Sequence, residues 1–161
     1  MAYQKGGTCH EENEAYAAIS PVGGDLTLVA SDDGVHADGT LTISGGNALA
    51  KEAWESVEGN IINVTGGETI AYAEDDAVIA SKSLNVTGGY LFGAVGNSGD
   101  YDGIDSNGTI TANGGTLIGS GPASQMAAAF DCDGSISVPN LPYTYSGCYA
   151  WSSLGSISSI S

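Results

Sequence analysis

The chain repeatedly returns to one short pattern, apolar, polar, apolar, then a pair of glycines: LTISGG at Leu41, INVTGG at Ile62, LNVTGG at Leu84 and ITANGG at Ile110. A worn copy, ISVPN, begins at Ile136. The glycine pairs Gly23-Gly24, Gly45-Gly46, Gly66-Gly67, Gly88-Gly89 and Gly114-Gly115 are 22, 21, 22 and 26 residues apart. Anchored on them, SDDGVHADGTLTISGG aligns with WESVEGNIINVTGG, EDDAVIASKSLNVTGG, DYDGIDSNGTITANGG and AAFDCDGSISVPN.

The alignment makes columns. One holds Val35, Val57, Val78, Ile104 and Phe130; a second holds Leu41, Ile62, Leu84, Ile110 and Ile136; a third holds Ile43, Val64, Val86, Ala112 and Val138. Between the second and third stand Thr42, Asn63, Asn85, Thr111 and Ser137, all polar. Alternation with period two is the mark of a strand with one buried face. A unit of about 22 residues cannot bury that face alone, whereas stacked units form a continuous core. Helical repeats are longer than this period, and leucine-rich repeats need leucines in a fixed frame that is missing here. The expected fold is therefore all-β, a right-handed parallel β-helix of about five to six coils, on the order of 25 to 30 Å tall. Glycine pairs serve as its corners. Residues 25–141 carry the repeats. Residues 1–24 form an N-terminal segment in which EENEAYAAIS offers one or two helical turns as a cap, and 142–161 form a C-terminal coil or capping segment.

Charge changes this picture most. Nineteen acidic residues face three lysines and no arginine, a formal net charge of -16 in 161 residues. Such a surface repels nucleic acid and anionic membranes, and no apolar run is long enough to span a bilayer. The 42% hydrophobic content argues against disorder. The three cysteines, Cys9, Cys132 and Cys148, match no zinc spacing, and a Cys132–Cys148 pairing stays open. The N-terminus carries no apolar signal core.

Stacking also aligns the acids. Asp33, Glu55, Asp76 and Asp102 share one register; His36, Glu58, Ile79, Asp105 and Asp131 share another three residues on. Two carboxylates about 5 Å apart repel by roughly 3 kcal/mol at an effective dielectric near 20. Such a ladder needs either protons or a cation. Oxygen donors in glycine-rich turns suit Ca²⁺, whereas zinc would draw on Cys or His. The densest groups are Asp32 with Asp33, Asp75 with Asp76, and Asp100, Asp102 and Asp105. For any one aspartate, the plain alternative is a solvated turn former.

The runs DDGVHADG, DGIDSNG and AAFDCDGS resemble the DDGIHADG, DGIDSNG and ALDYDG signatures of a bacterial extracellular carbohydrate-binding family that binds polygalacturonate. The resemblance covers roughly residues 25–137. It implies a pectate-lyase-like β-helix, calcium held at acidic turns, and an extracellular or cell-surface location. Residue by residue it points to Asp32, Asp33, Asp38, Asp75, Asp76, Asp102, Asp105 and Asp131; Glu55 joins them by register. Ala77 and Ser56 replace expected glycines, Cys132 replaces a tyrosine, and the chain is shorter than typical members.

Three functions remain in view. The first is a non-catalytic, calcium-dependent binder of acidic polysaccharide, with Trp54, Tyr72 and Tyr101 as stacking platforms; the plain alternative for each aromatic is a coil edge. The second is a subunit that stacks end to end into an extracellular filament. The third, a polysaccharide lyase or hydrolase, is disfavoured: β-elimination from a uronate usually draws on Arg or Lys as base, and Lys5, Lys51 and Lys82 are scattered singly.

Overall fold

The computed structural model describes residues 24–96, 101–122 and 127–137 with side chains, and Ala17–Ile19 and Thr144–Ser146 as backbone. The strands are β1 (Ala17–Ile19), β2 (Asp25–Val29), β3 (Val35–Ala53), β4 (Val57–Ala73), β5 (Val78–Ala94), β6 (Asp105–Ser106), β7 (Thr109–Ser120), β8 (Ser135–Ser137) and β9 (Thr144–Ser146). Every pairing among them is parallel, in one connected sheet ordered β1-β3-β4-β5-β7-β8, with β2 on β3, β6 on β5 and β9 on β7. Each long strand pairs with the next one along the chain. The result is an all-β solenoid of about five turns with a repeat near 22 residues.

The columns read from the sequence are true register partners. Leu41 pairs with Ile62, Ile62 with Leu84, Leu84 with Ile110 and Ile110 with Ile136. The first four of these five are wholly buried, as are Val64, Val78, Val86, Leu91 and Ile104. Burying each such side chain contributes about 1.5–3 kcal/mol, so the axis of the solenoid is where its stability resides.

Glycine pairs bend the long strands. In each, the second residue has positive φ: Gly46 (74°), Gly67 (79°), Gly89 (77°) and Gly115 (75°). At Gly67 and Gly89 a Cβ would also sit 2.6 Å from a backbone carbon of the preceding coil, so no other residue fits. The 21-residue spacing has a local cause. Between the partners Ala37↔Gly59 and Thr40↔Ile61, two residues, Asp38 and Gly39, oppose Asn60 alone.

Both flanking segments take part in the ladder. Ala17–Ile19 is extended and pairs with Leu41–Ile43, so this end of EENEAYAAIS is strand instead of capping helix: its parallel partner satisfies the backbone that a helical turn would satisfy internally. At the other end of the stack, β9 pairs with Ile118–Ser120. No helix among the described residues is long and apolar enough to cross a membrane.

Candidate metal centre

The acidic residues gather at the corner where each coil passes from the end of a long strand to the start of the next. Backbone hydrogen bonds between coils hold this corner in register: Gly34 N–H donates to the Glu55 carbonyl at 2.8 Å, Val57 N–H to that of Ala77 at 3.1 Å, and Ala77 N–H to that of Asp102 at 3.1 Å. Side chains from successive coils are thereby fixed above one another. They divide into two groups.

The upper group is built on His36. Its Nδ1 lies 3.0 Å from Asp33 Oδ2 and in closer contact with Glu58, and its Nε2 lies 3.0 Å from Asp38 Oδ1. Burial works against protonation of the ring, but Asp38, Glu58 and Asp33 together outweigh it and hold the histidine pKa above its ordinary value. Once protonated, the ring is the counter-ion of this group.

The lower group is Asp102, Asp105 and Asp131, whose nearest oxygens all lie within 4.8 Å of one another. Asp102 and Asp105 are only 7% and 8% exposed. Beside them, Asp76 Oδ1 accepts the Asp102 N–H at 2.6 Å, and Ala128 N–H donates to Asp102 Oδ1. No basic side chain lies in this group. Burial, then the neighbouring carboxylates, push Asp102 up to about 8, the Ala128 N–H opposing them, and Asp105 up to about 7. Burial likewise pushes Asp76 up to about 6, against the hydrogen bond from Asp102. Asp131 Oδ1 is buried without a hydrogen-bond partner, an energetic debt of about 1–3 kcal/mol, and more for a charged oxygen, unless something fills the space before it.

The donor chemistry of the lower group is oxygen only. Cys132 is adjacent in sequence, but its buried Sγ donates to the Gly108 carbonyl at 3.0 Å, and burial raises its pKa, so it stays a thiol. Carboxylates with a free buried oxygen fit a hard cation such as Ca²⁺; Asp102, Asp105 and Asp131 would hold it, with Asp76 close by. One observation in the upper group is parallel: Glu55 is pushed up to about 8 by burial, then by Glu58, Asp33, Asp75 and Asp76.

The remaining expected residues are distributed as follows. Asp32 is exposed and outside both groups. Asp75 is half-buried and outside both groups; hydrogen bonds from the Asp76 backbone and then the Trp54 side chain oppose the upward push of burial. Asp100 falls outside the described residues, as do Cys9 and Cys148. Trp54 and Tyr72 are each 46% exposed. The Trp54 and Tyr101 rings meet edge to face, with centroids 6.2 Å apart, along the acidic corner; Tyr72 meets Phe92 at 5.6 Å. Two partners had not been expected as site residues, Glu58 and His36. The signal for both was the register column in which they sit with Asp105.

A small apolar cavity lies between Leu28, Val35, Ile43, Ala50, Val57 and Thr69. It has room for about one water molecule, so it is no sugar pocket. Compared with known proteins, the chain matches no family model, no curated protein and no solved structure.

Proposed function

We propose that the chain is a non-catalytic, calcium-binding β-solenoid that binds acidic polysaccharide of the polygalacturonate type on its acidic corner, outside the cell. The observation that carries this reading is the lower carboxylate group: three aspartates from adjacent coils, two of them buried, one with an unpartnered oxygen, and no basic side chain among them. In water such a group is either protonated or metal-bound. Calcium supplies charge neutralisation there, and a cation shared with uronate carboxylates reverses the sign of a contact that a surface of this charge would otherwise repel.

The aromatic pair Trp54 and Tyr101 supports the polysaccharide part. An exposed indole beside the carboxylates offers an apolar face for a sugar ring while Asp75 holds its N–H. A linear polymer needs an edge more than a pocket, and the acidic corner runs the height of the coils. The reading is tested by gel retardation on polygalacturonate with Ca²⁺ and with chelator. Retardation only with Ca²⁺, lost in Asp105→Asn, is expected. Equal mobility in all conditions, with calorimetry still detecting Ca²⁺, would leave a calcium protein that does not bind this polymer.

A further inference from the structure

The second outward face of the solenoid carries an apolar stripe, flanked by two register columns that turn inward, one with Thr69, Leu91 and Leu117 and the other with Ala50 and Ala71. Register pairs Leu49 with Ile70, Ile70 with Phe92 and Phe92 with Ile118, one large apolar side chain in each of four successive coils, with Thr27 at the same position of the first coil. None of the four belongs to the buried core, and all are partly exposed. Beside them, Val29 and Tyr72 are each 46% exposed. Substantial contacts between described strands run only from coil to coil, so no described element lies across the stripe.

We infer that this face is a self-association surface, on which a second copy of the chain packs sheet against sheet. Charge favours that occupant. The described residues on the face include only three charged ones, Asp25, Lys51 and Glu68, so two copies of a chain with net charge -16 meet here with the least repulsion. Stacked Leu, Ile and Phe side chains are also what two sheet faces interdigitate when they pack about 10 Å apart. Size sets the strength. Five coils at about 4.8 Å by five residues at about 3.3 Å give a footprint on the order of 400 Å² per copy. Side-chain relief brings the area buried by two copies to about 1,000 Å², the lower bound for a specific interface, so the dimer is weak and micromolar at best.

The test is sedimentation of the full chain in chelator, from low micromolar to near-millimolar concentration, so that the carboxylate corner contributes nothing. A monomer–dimer equilibrium is expected, weakened at least tenfold by Ile70→Lys. Lysine is the decisive substitution because it lowers the net repulsion between copies while breaking the stripe. Asn113→Lys, exposed on the neighbouring face, is expected to leave the equilibrium unchanged. A wild-type chain that stays monomeric throughout overturns the inference. So does a monomer whose thermal midpoint falls on Ile70→Lys, because the stripe would then be covered within the chain; and so does sedimentation of the monomer with a neutral insoluble polysaccharide in place of self-association.

Discussion

The two halves of the acidic corner solve one electrostatic problem differently. In the upper half, the position three residues beyond Asp33 is His36, and its ring faces Asp33, Asp38 and Glu58. In the lower half, the register partner of that position is Asp105, reached through Glu58 and Ile79. The register position is the same; the side chain that occupies it decides whether the coil brings its own basic group or must take a cation from solution. In the upper half burial holds the Glu58 pKa above its ordinary value, although the His36 ring lowers it. Where that ring is absent, Asp102 and Asp105 hold protons to about 8 and about 7.

Removing or restoring the external cation gives the largest expected effect. At a Ca²⁺ concentration 100 times the dissociation constant, binding to the folded chain stabilises it by about 2.7 kcal/mol. For a chain of this length that raises the thermal midpoint by about 5–10 °C over chelator. Asp105→Asn is expected to remove most of the rise. Asp105→His sharpens the comparison, because it copies the upper solution into the lower coil: scanning calorimetry should then show a chelator-insensitive midpoint.

Metal-free pH dependence comes next. Asp76, Asp105 and Asp102 have folded values of about 6, 7 and 8, each above the 3.8 of the unfolded chain, and Glu55 about 8 against 4.5. The folded chain therefore holds more protons than the unfolded one between those limits, so stability falls as pH rises from about 4 to about 8. In chelator the midpoint should be highest near the acid end of that window and lowest above it. Saturating Ca²⁺ should flatten the decline, and a decline of equal size in both conditions would separate the ion from these carboxylates.

His36→Gln has a smaller effect, and the contribution it removes runs in the same pH direction as that of the raised carboxylates. A histidine whose folded pKa is raised above 6.5 stabilises fully below 6.5, and the contribution disappears as pH rises through the folded value. The partly exposed group should lose about 1 kcal/mol, or about 2–4 °C, at pH 6, and much less at pH 9. Its calcium-dependent rise in midpoint should survive. Smallest is Trp54→Ala: weaker retention on polygalacturonate by about threefold to tenfold, on the scale of about 1 kcal/mol for one aromatic contact, with an unchanged midpoint in calorimetry.

The solenoid itself was legible because its signal repeats. Leu41, Ile62, Leu84 and Ile110 recur at one offset from a glycine pair, and a copy-to-copy offset is the register of a parallel ladder. Gly67 and Gly89 were legible as corners for the same reason. What the columns could not convey is which neighbouring side chains meet across the corner. Asp38 reaches His36 at the bulge that opposes Asp38 and Gly39 to Asn60, and a one-residue bulge is invisible in an alignment that absorbs it as a gap. Nor was the division of one ladder into two groups visible, since it depends on depth: Asp32 is exposed while Asp102 and Asp105 are buried. The apolar stripe was hidden for another reason. In YLFGA both Leu91, which is buried, and Phe92, which faces outward, are apolar, so alternation fails where the two faces are alike.

The central claim is that the lower coil needs an external cation at neutral pH, and calorimetric titration of Ca²⁺ into chelator-stripped chain at pH 7.5, in two buffers of different ionisation enthalpy, tests it most directly. Binding with net proton release, abolished by Asp105→Asn and retained by His36→Gln, is the predicted result. Absence of binding, or binding that moves no protons and survives Asp105→Asn, would contradict it.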